Sequence, residues 1–121
     1  MPSFSKSSQA KLATCHPDLQ RLFNEVIKHV DCTIICGHRG EKEQNEAFEN
    51  GFSTLKFPNS KHNGSPSQAV DCLPYPIKWN ASESHHLFAG FVMGVASQMG
   101  IKIEWGGNWS SFEDRPHFQL K

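Results

Sequence analysis

Apolar residues recur along the chain with two spacings, one helical and one alternating, and these divide it into a few elements. Pro17 and Asp18 open a segment in which Leu19, Leu22, Phe23, Val26, Ile27 and Val30 fall at helical spacing, predicting an amphipathic helix packed on a core. Cys32-Thr33-Ile34-Ile35-Cys36 is short, β-branched and closed by Gly37, predicting a buried strand that delivers His38 and Arg39 to its end. Glu41 to Asn50 is rich in helix formers and is followed by Gly51, a residue type that tolerates positive φ just past a helix end. Residues 52–66, FSTLKFPNSKHNGSP, have the Pro, Gly, Asn and Ser content of a loop, after which Gln68 to Leu73 resumes as a strand stopped by Pro74 and Pro76. Ser82 or Ser84 can cap a third helix carrying Leu87, Phe88, Phe91, Val92, Val95 and Met99, with Gly100 at its end. Ile101 to Trp105 alternates, Gly106-Gly107 turns, and His117 to Leu120 alternates again, predicting an antiparallel pair near the C-terminus.

This order predicts an α+β fold, in which a small, mainly antiparallel sheet packs against about three helices with the site cleft at the sheet's end. At 121 residues the chain has the size of one domain, expected to span residues 1–121. Hydrophobic residues at 37% and charged residues at 20% are those of a globular protein. Twelve basic residues balance twelve acidic ones without long runs of either sign, so nothing points to a nucleic-acid or anionic-membrane partner. The first residues lack the apolar core of a signal peptide, and no stretch reaches the ~20 apolar residues that span a bilayer, so a cytoplasmic product without stable membrane insertion is expected. Cys15, Cys32, Cys36 and Cys72 show no CxxC spacing and read as reduced, mostly buried thiols. Cys32 and Cys36 would lie ~13 Å apart on a regular strand, too far to share a disulfide or a zinc ion.

Two of the seven histidines stand in settings that suit a metal: His62 in a polar loop followed by Asp71, and His117 on a terminal strand after Asp114. A catalytic zinc commonly takes three His or carboxylate ligands and keeps the fourth position for water. His62, Asp71 and His117 would form such a set, holding one Zn2+ per chain. Asp114 is the candidate general base, with Glu113 as a substitute. Residues three apart on a regular strand face opposite ways, so a turn at Pro116 must bring Asp114 and His117 to one site. Within direct reach of the metal, Asp114 would be a fourth ligand and would close the site.

Ser60-Lys61-His62, Ala69-Val70-Asp71 and Asp114-Arg115-Pro116-His117 resemble the signature of the M15-type D-Ala-D-Ala carboxypeptidase/VanY-like zinc peptidase family, which includes phage endolysins that cleave between L-alanine and D-glutamate. The resemblance runs from about His16 to Gln119 and implies zinc ligation by His62, Asp71 and His117 with Asp114 as base. Gly37-His38-Arg39 and Gln44 resemble an upstream part of the same pattern, implying Arg39 in the active site, on a substrate carboxylate or a developing oxyanion. The alternative for Arg39 is an ion pair with Glu41 or Glu43. His62 and Asp71 stand nine positions apart, a longer spacing than the commoner one in the family, and Asn108 occupies a position where relatives often have Asp. The short, carboxylate-poor segment from Asn108 to Phe112 gives no reason to expect calcium.

The resemblance thus implies a monomeric hydrolase acting on the peptidoglycan stem peptide, made in the cytoplasm and reaching the cell wall once the membrane is opened. Cleavage of L-Ala-D-Glu is favoured over D-Ala-D-Ala carboxypeptidase activity. The rival class is a non-catalytic, zinc-stabilised wall-binding or assembly module. His16, His29, His38, His85 and His86 are assigned structural or solvent roles, Trp105 and Trp109 core and cleft wall, and Ser60 and Ser67 loop hydrogen bonds, since no nucleophile-elbow pattern surrounds them.

Overall fold

Four strands, β1 (Cys32–Cys36), β2 (Ala69–Pro74), β3 (Ile103–Trp105) and β4 (His117–Leu120), form one sheet in the order β1-β2-β4-β3 in the computed structural model, which describes residues 2–121. Every neighbouring pair is antiparallel. Four helices accompany it: α1 (Lys6–Leu12), α2 (Pro17–Val26), α3 (Glu41–Glu49) and α4 (Ser82–Gln98). The fold is α+β, as the alternation of periods predicts.

Side-chain alternation gives the sheet two different faces. Val70 and Cys72 of β2 and Phe118 of β4 enter a core with Leu19, Leu22 and Phe23 of α2 and Phe88 and Val92 of α4. Phe118 meets Phe23 and Phe88 edge-on, with ring centroids 5.6 and 6.2 Å away. Asp71, His117 and Gln119 lie on the other face, where a cleft of about 820 Å³ opens.

The helix stops behave as the sequence predicts: Gly51 at φ 78° and Gly100 at φ 71° follow the ends of α3 and α4 in a conformation that a Cβ disfavours. Three local features differ from expectation. The short helix α1 shows no apolar period, because only Ser8 and Leu12 of its seven residues are buried. It is held by Ser5, whose side chain accepts from the Ser8 backbone N–H, while Ser8 Oγ accepts from Ile34 N–H at 3.1 Å. That last bond satisfies a donor on the edge strand β1. Helix α2 stops at Val26, and Ile27 to Val30 continue as turns hydrogen-bonded back onto it, so the last two apolar residues of the periodic run lie past its end but still pack on the core. Ser82 is inside α4 rather than capping it, since Ala81 takes the cap position and offers no side-chain oxygen.

All four cysteines are free thiols, with Cys15, Cys32 and Cys72 buried and Cys36 half-buried. A bulge between Ile34 and Cys36 shifts the β1–β2 register and sets Cys36 opposite Asp71. No helix among the described residues is long and apolar enough to cross a membrane.

Candidate metal centre

Each of the three candidate ligands is placed by a different device. His62 lies in a 3-10 turn, Lys61–Asn63, closed by a reciprocal cap: Ser60 Oγ accepts from His62 N–H at 3.2 Å and Asn63 Oδ1 from Ser60 N–H at 3.0 Å. Asn63 Nδ2 also donates to the Arg39 carbonyl at 2.9 Å, and Arg39 N–H to the His62 carbonyl at 2.8 Å, tying this loop to the residues after β1. Asp71 and His117 are register partners on β2 and β4, so they project together from the same face.

The donor atoms converge. His62 Nε2 is 3.2 Å from both Asp71 Oδ1 and His117 Nδ1, and Asp71 Oδ1 is 3.3 Å from His117 Nδ1. His62 and His117 are 2% and 5% exposed, so water does not separate them. Outer hydrogen bonds fix where the imidazole protons lie. His62 Nδ1 faces the Gly37 carbonyl at 2.7 Å and must donate to it, leaving the Nε2 lone pair pointing inward. Gln119 Nε2 donates to Glu104 Oε1 at 2.6 Å, which turns Gln119 Oε1 toward His117 Nε2 at 2.8 Å. That oxygen accepts the His117 Nε2 proton, so the Nδ1 lone pair also points inward. Two lone pairs and a carboxylate oxygen aimed at one point repel unless a proton or a cation lies among them. The buried His-Asp-His set therefore fits a divalent metal of the zinc type.

The electrostatics describe the same cluster with a proton in the metal's place. Burial opposes charge on His62, but hydrogen bonding to Asp71 and Cys36 outweighs it and raises the pKa to about 10. Burial alone would raise the pKa of Asp71, yet its close contacts with the imidazoles of His117 and His62 hold its carboxyl well below the ordinary carboxylate range. Arg39 adds a contact on the far oxygen, with Nη2 3.5 Å from Asp71 Oδ2. Its Nη1 donates to Gln44 Oε1 at 3.1 Å, and Gln44 is fully buried. Arg39 thus pairs with Asp71, and not with the nearer-in-sequence Glu41 or Glu43.

Asp114 stands beside the cluster, with Oδ2 3.9 Å from His117 Nδ1, and is not one of the three mutually converging groups. The bend expected around Pro116 is present: His117 N–H donates to the Asp114 carbonyl at 3.2 Å, so Asp114 precedes β4 instead of lying within it. Gly106 makes the approach possible, because a Cβ there would meet the Asp114 carbonyl at 2.4 Å and Cβ of His117 at 3.1 Å. Burial and then the charge of Asp71 raise the pKa of Asp114 to about 6. Glu113 lies farther out, with a half-exposed side chain. Trp105 is a core residue whose Nε1 donates to the Arg115 carbonyl, and Trp109 forms cleft wall, its ring 5.0 Å from that of His117.

Sequence reasoning missed the outer chain Glu104–Gln119–His117. The alternation of β4 could have placed Gln119 on the face of His117, but nothing local pairs it with Glu104 on β3. It also set aside His85, which lines the cleft. His16 has the structural role expected of it, since its Nδ1 accepts from Asp18 N–H at the start of α2.

A buried His-Asp-His cluster open to a cleft, with a carboxylate of raised pKa to one side, is the arrangement of a metal-site hydrolase. Residues 2–119 match the phage L-alanyl-D-glutamate peptidase family, and the chain belongs to that family. It is 32% identical over 124 aligned residues to the L-alanyl-D-glutamate peptidase of Escherichia phage T5, covering 98% of this chain and 88% of the relative. Among solved structures it is similar to the Serratia marcescens L-Ala D-Glu endopeptidase ChiX, with a TM-score of 0.82 and 30% identity, over 98% of this chain and 90% of that one.

Proposed function

We infer that the chain is a zinc-dependent endopeptidase that hydrolyses the L-alanyl-D-glutamate bond of the peptidoglycan stem peptide, with residues 1–121 acting as one catalytic domain of the VanY-like zinc peptidase type. The convergence of His62, Asp71 and His117, with both imidazole protons turned outward, carries this reading. The names of the phage T5 and Serratia relatives supply the bond. They favour endopeptidase action over D-Ala-D-Ala carboxypeptidase activity, and hydrolysis over a wall-binding role.

His62, Asp71 and His117 would hold one zinc ion. When bound, the ion supplies Lewis acidity toward the scissile carbonyl and lowers the pKa of water in the site. Asp114, with a pKa raised to about 6, takes a proton from the attacking water and returns it to the leaving amine. Standing outside the converging trio supports its role as base over one as fourth ligand. Arg39 holds Asp71 by its far oxygen and reaches the cleft, where its guanidinium faces the substrate. The chain would act as a monomer at the cell wall once the membrane is opened, and its likeness to a phage peptidase supports the cell-wall target.

The test is digestion of purified peptidoglycan with mass analysis of the fragments, before and after chelation and after zinc is restored. New N-terminal D-glutamate, lost on chelation and regained with zinc, is the expected result. Release of terminal D-alanine would replace the reading by the carboxypeptidase one, and an intact wall with bound protein would replace it by the binding module.

A further inference from the structure

His85 is the one side chain among the described residues whose buried polar atoms have no hydrogen-bond partner, at either ring nitrogen. It is 3% exposed, lies in the first turns of α4 and lines the cleft above the metal centre. Leaving such a group unpaired is costly, and native structures rarely do so without a use for it. Burial and the charge of Arg115 both lower its pKa, and the smaller opposing effect of the Lys78 backbone does not reverse the direction. The ring is therefore neutral, and neither nitrogen makes a well-formed hydrogen bond, the Lys78 backbone acting on it only weakly.

Arg115 lines the same cleft and is the cation there with the least prior commitment. Arg39 is held by Asp71 and Gln44, and Lys61 Nζ by the Leu120 carbonyl. Arg115 has only a long contact, 3.8 Å from Nε to Oε1 of the half-exposed Glu113. A neutral imidazole donor and an available guanidinium, lining one cleft and close enough for the guanidinium charge to act on the ring, suit a carboxylate. The substrate offers one: a glutamate residue in a peptide uses a single carboxyl in the chain and keeps the other.

We propose that His85 and Arg115 form the subsite that receives the free carboxylate of the substrate's D-glutamate residue, and so set the preference for an acidic residue at the scissile bond. This rests on the L-alanyl-D-glutamate reading above. His85 is a binding residue, acting on substrate affinity, and takes no part in proton transfer.

The experiment uses two synthetic stem peptides, one with the free glutamate carboxylate and one with that carboxyl amidated, and separates kcat from KM. Wild type should prefer the acid by about tenfold or more. His85→Phe and Arg115→Gln should each raise KM for the acid by about ten- to hundredfold while leaving the amide within about threefold, so the preference disappears. His85→Gln, which keeps an N–H donor, should recover part of it. Zinc content should not change in any variant. Variants that keep the preference, or that weaken both peptides equally, overturn the subsite, as does a wild type that cuts both peptides alike. A wild type that cuts neither refutes the parent reading instead. Should His85→Phe fail to fold, Arg115→Gln and His85→Gln decide the matter.

Discussion

Asp71 and His117 face each other across the β2–β4 ladder, with Asp71 Oδ1 3.3 Å from His117 Nδ1. Antiparallel register thus builds two-thirds of the candidate metal centre from strand pairing alone, and the capped 3-10 turn brings His62 to it. The centre is as rigid as the sheet beneath it, and each of its outer hydrogen bonds can be tested separately.

A metal must displace a proton. At neutral pH the metal-free His62, with its pKa raised to about 10, carries the proton that lies between it and Asp71. Zinc binding at pH 7 should release about one proton, and apparent affinity should rise by about tenfold per pH unit until that pKa is reached. Calorimetric titration in buffers of different ionisation heat measures the release. A binding enthalpy independent of buffer would show that His62 is neutral in the metal-free protein.

As the proposed base, Asp114 would act only when ionised, so hydrolysis should fall as pH drops through about 6, the value to which burial and Asp71 raise its pKa. A bound cation favours the ionised form and moves this limb to lower pH, never higher. Asp114→Asn should keep zinc and thermal stability yet lose ~10²–10⁴ in rate. Zinc content and rate measured on one preparation check this: an active variant passes the role to Glu113, and a variant without zinc makes Asp114 a ligand.

Gln119→Leu removes the acceptor that fixes the His117 proton on Nε2. The ring can then carry its proton on the inward nitrogen, and zinc affinity should fall by about ten- to hundredfold. Competition with a chromogenic chelator gives the number. Unchanged affinity would mean that strand register alone orients His117.

Arg39→Lys keeps the charge but loses the planar fork that bridges Asp71 Oδ2 and Gln44 Oε1. Turnover should fall by about tenfold or more, with the fold intact. Equal rates in the two proteins would reduce the role of Arg39 to that of a positive charge near the cleft.

Much of this was legible in the sequence because it is written in short range. The β-branched run of β1, the apolar period of α2 and α4, and the glycines after α3 and α4 each express a local preference of the backbone. The candidate trio was legible for the same reason: Ser60 with His62, Val70 with Asp71, and Asp114 with His117 are neighbours in the chain, and their spacing is a local pattern. Helix α1 was not, because it is too short to show a period and is held by Ser5 and by its contact with β1.

What only the tertiary structure decided is the state of those residues. Which imidazole nitrogen points inward depends on Gly37, Gln119 and Glu104, brought in from separate elements. The pKa of Asp114 follows from its burial beside Asp71, and the bulge in β1 that sets Cys36 opposite Asp71 has no signature in Cys32 to Cys36. His85 looked like any helical histidine until packing closed over it without giving it a partner. Local sequence fixes which groups are present and roughly which way a strand or helix aims them. Burial, protonation and pairing depend on segments far apart in the chain, and these meet only when the sheet and α4 close on one another.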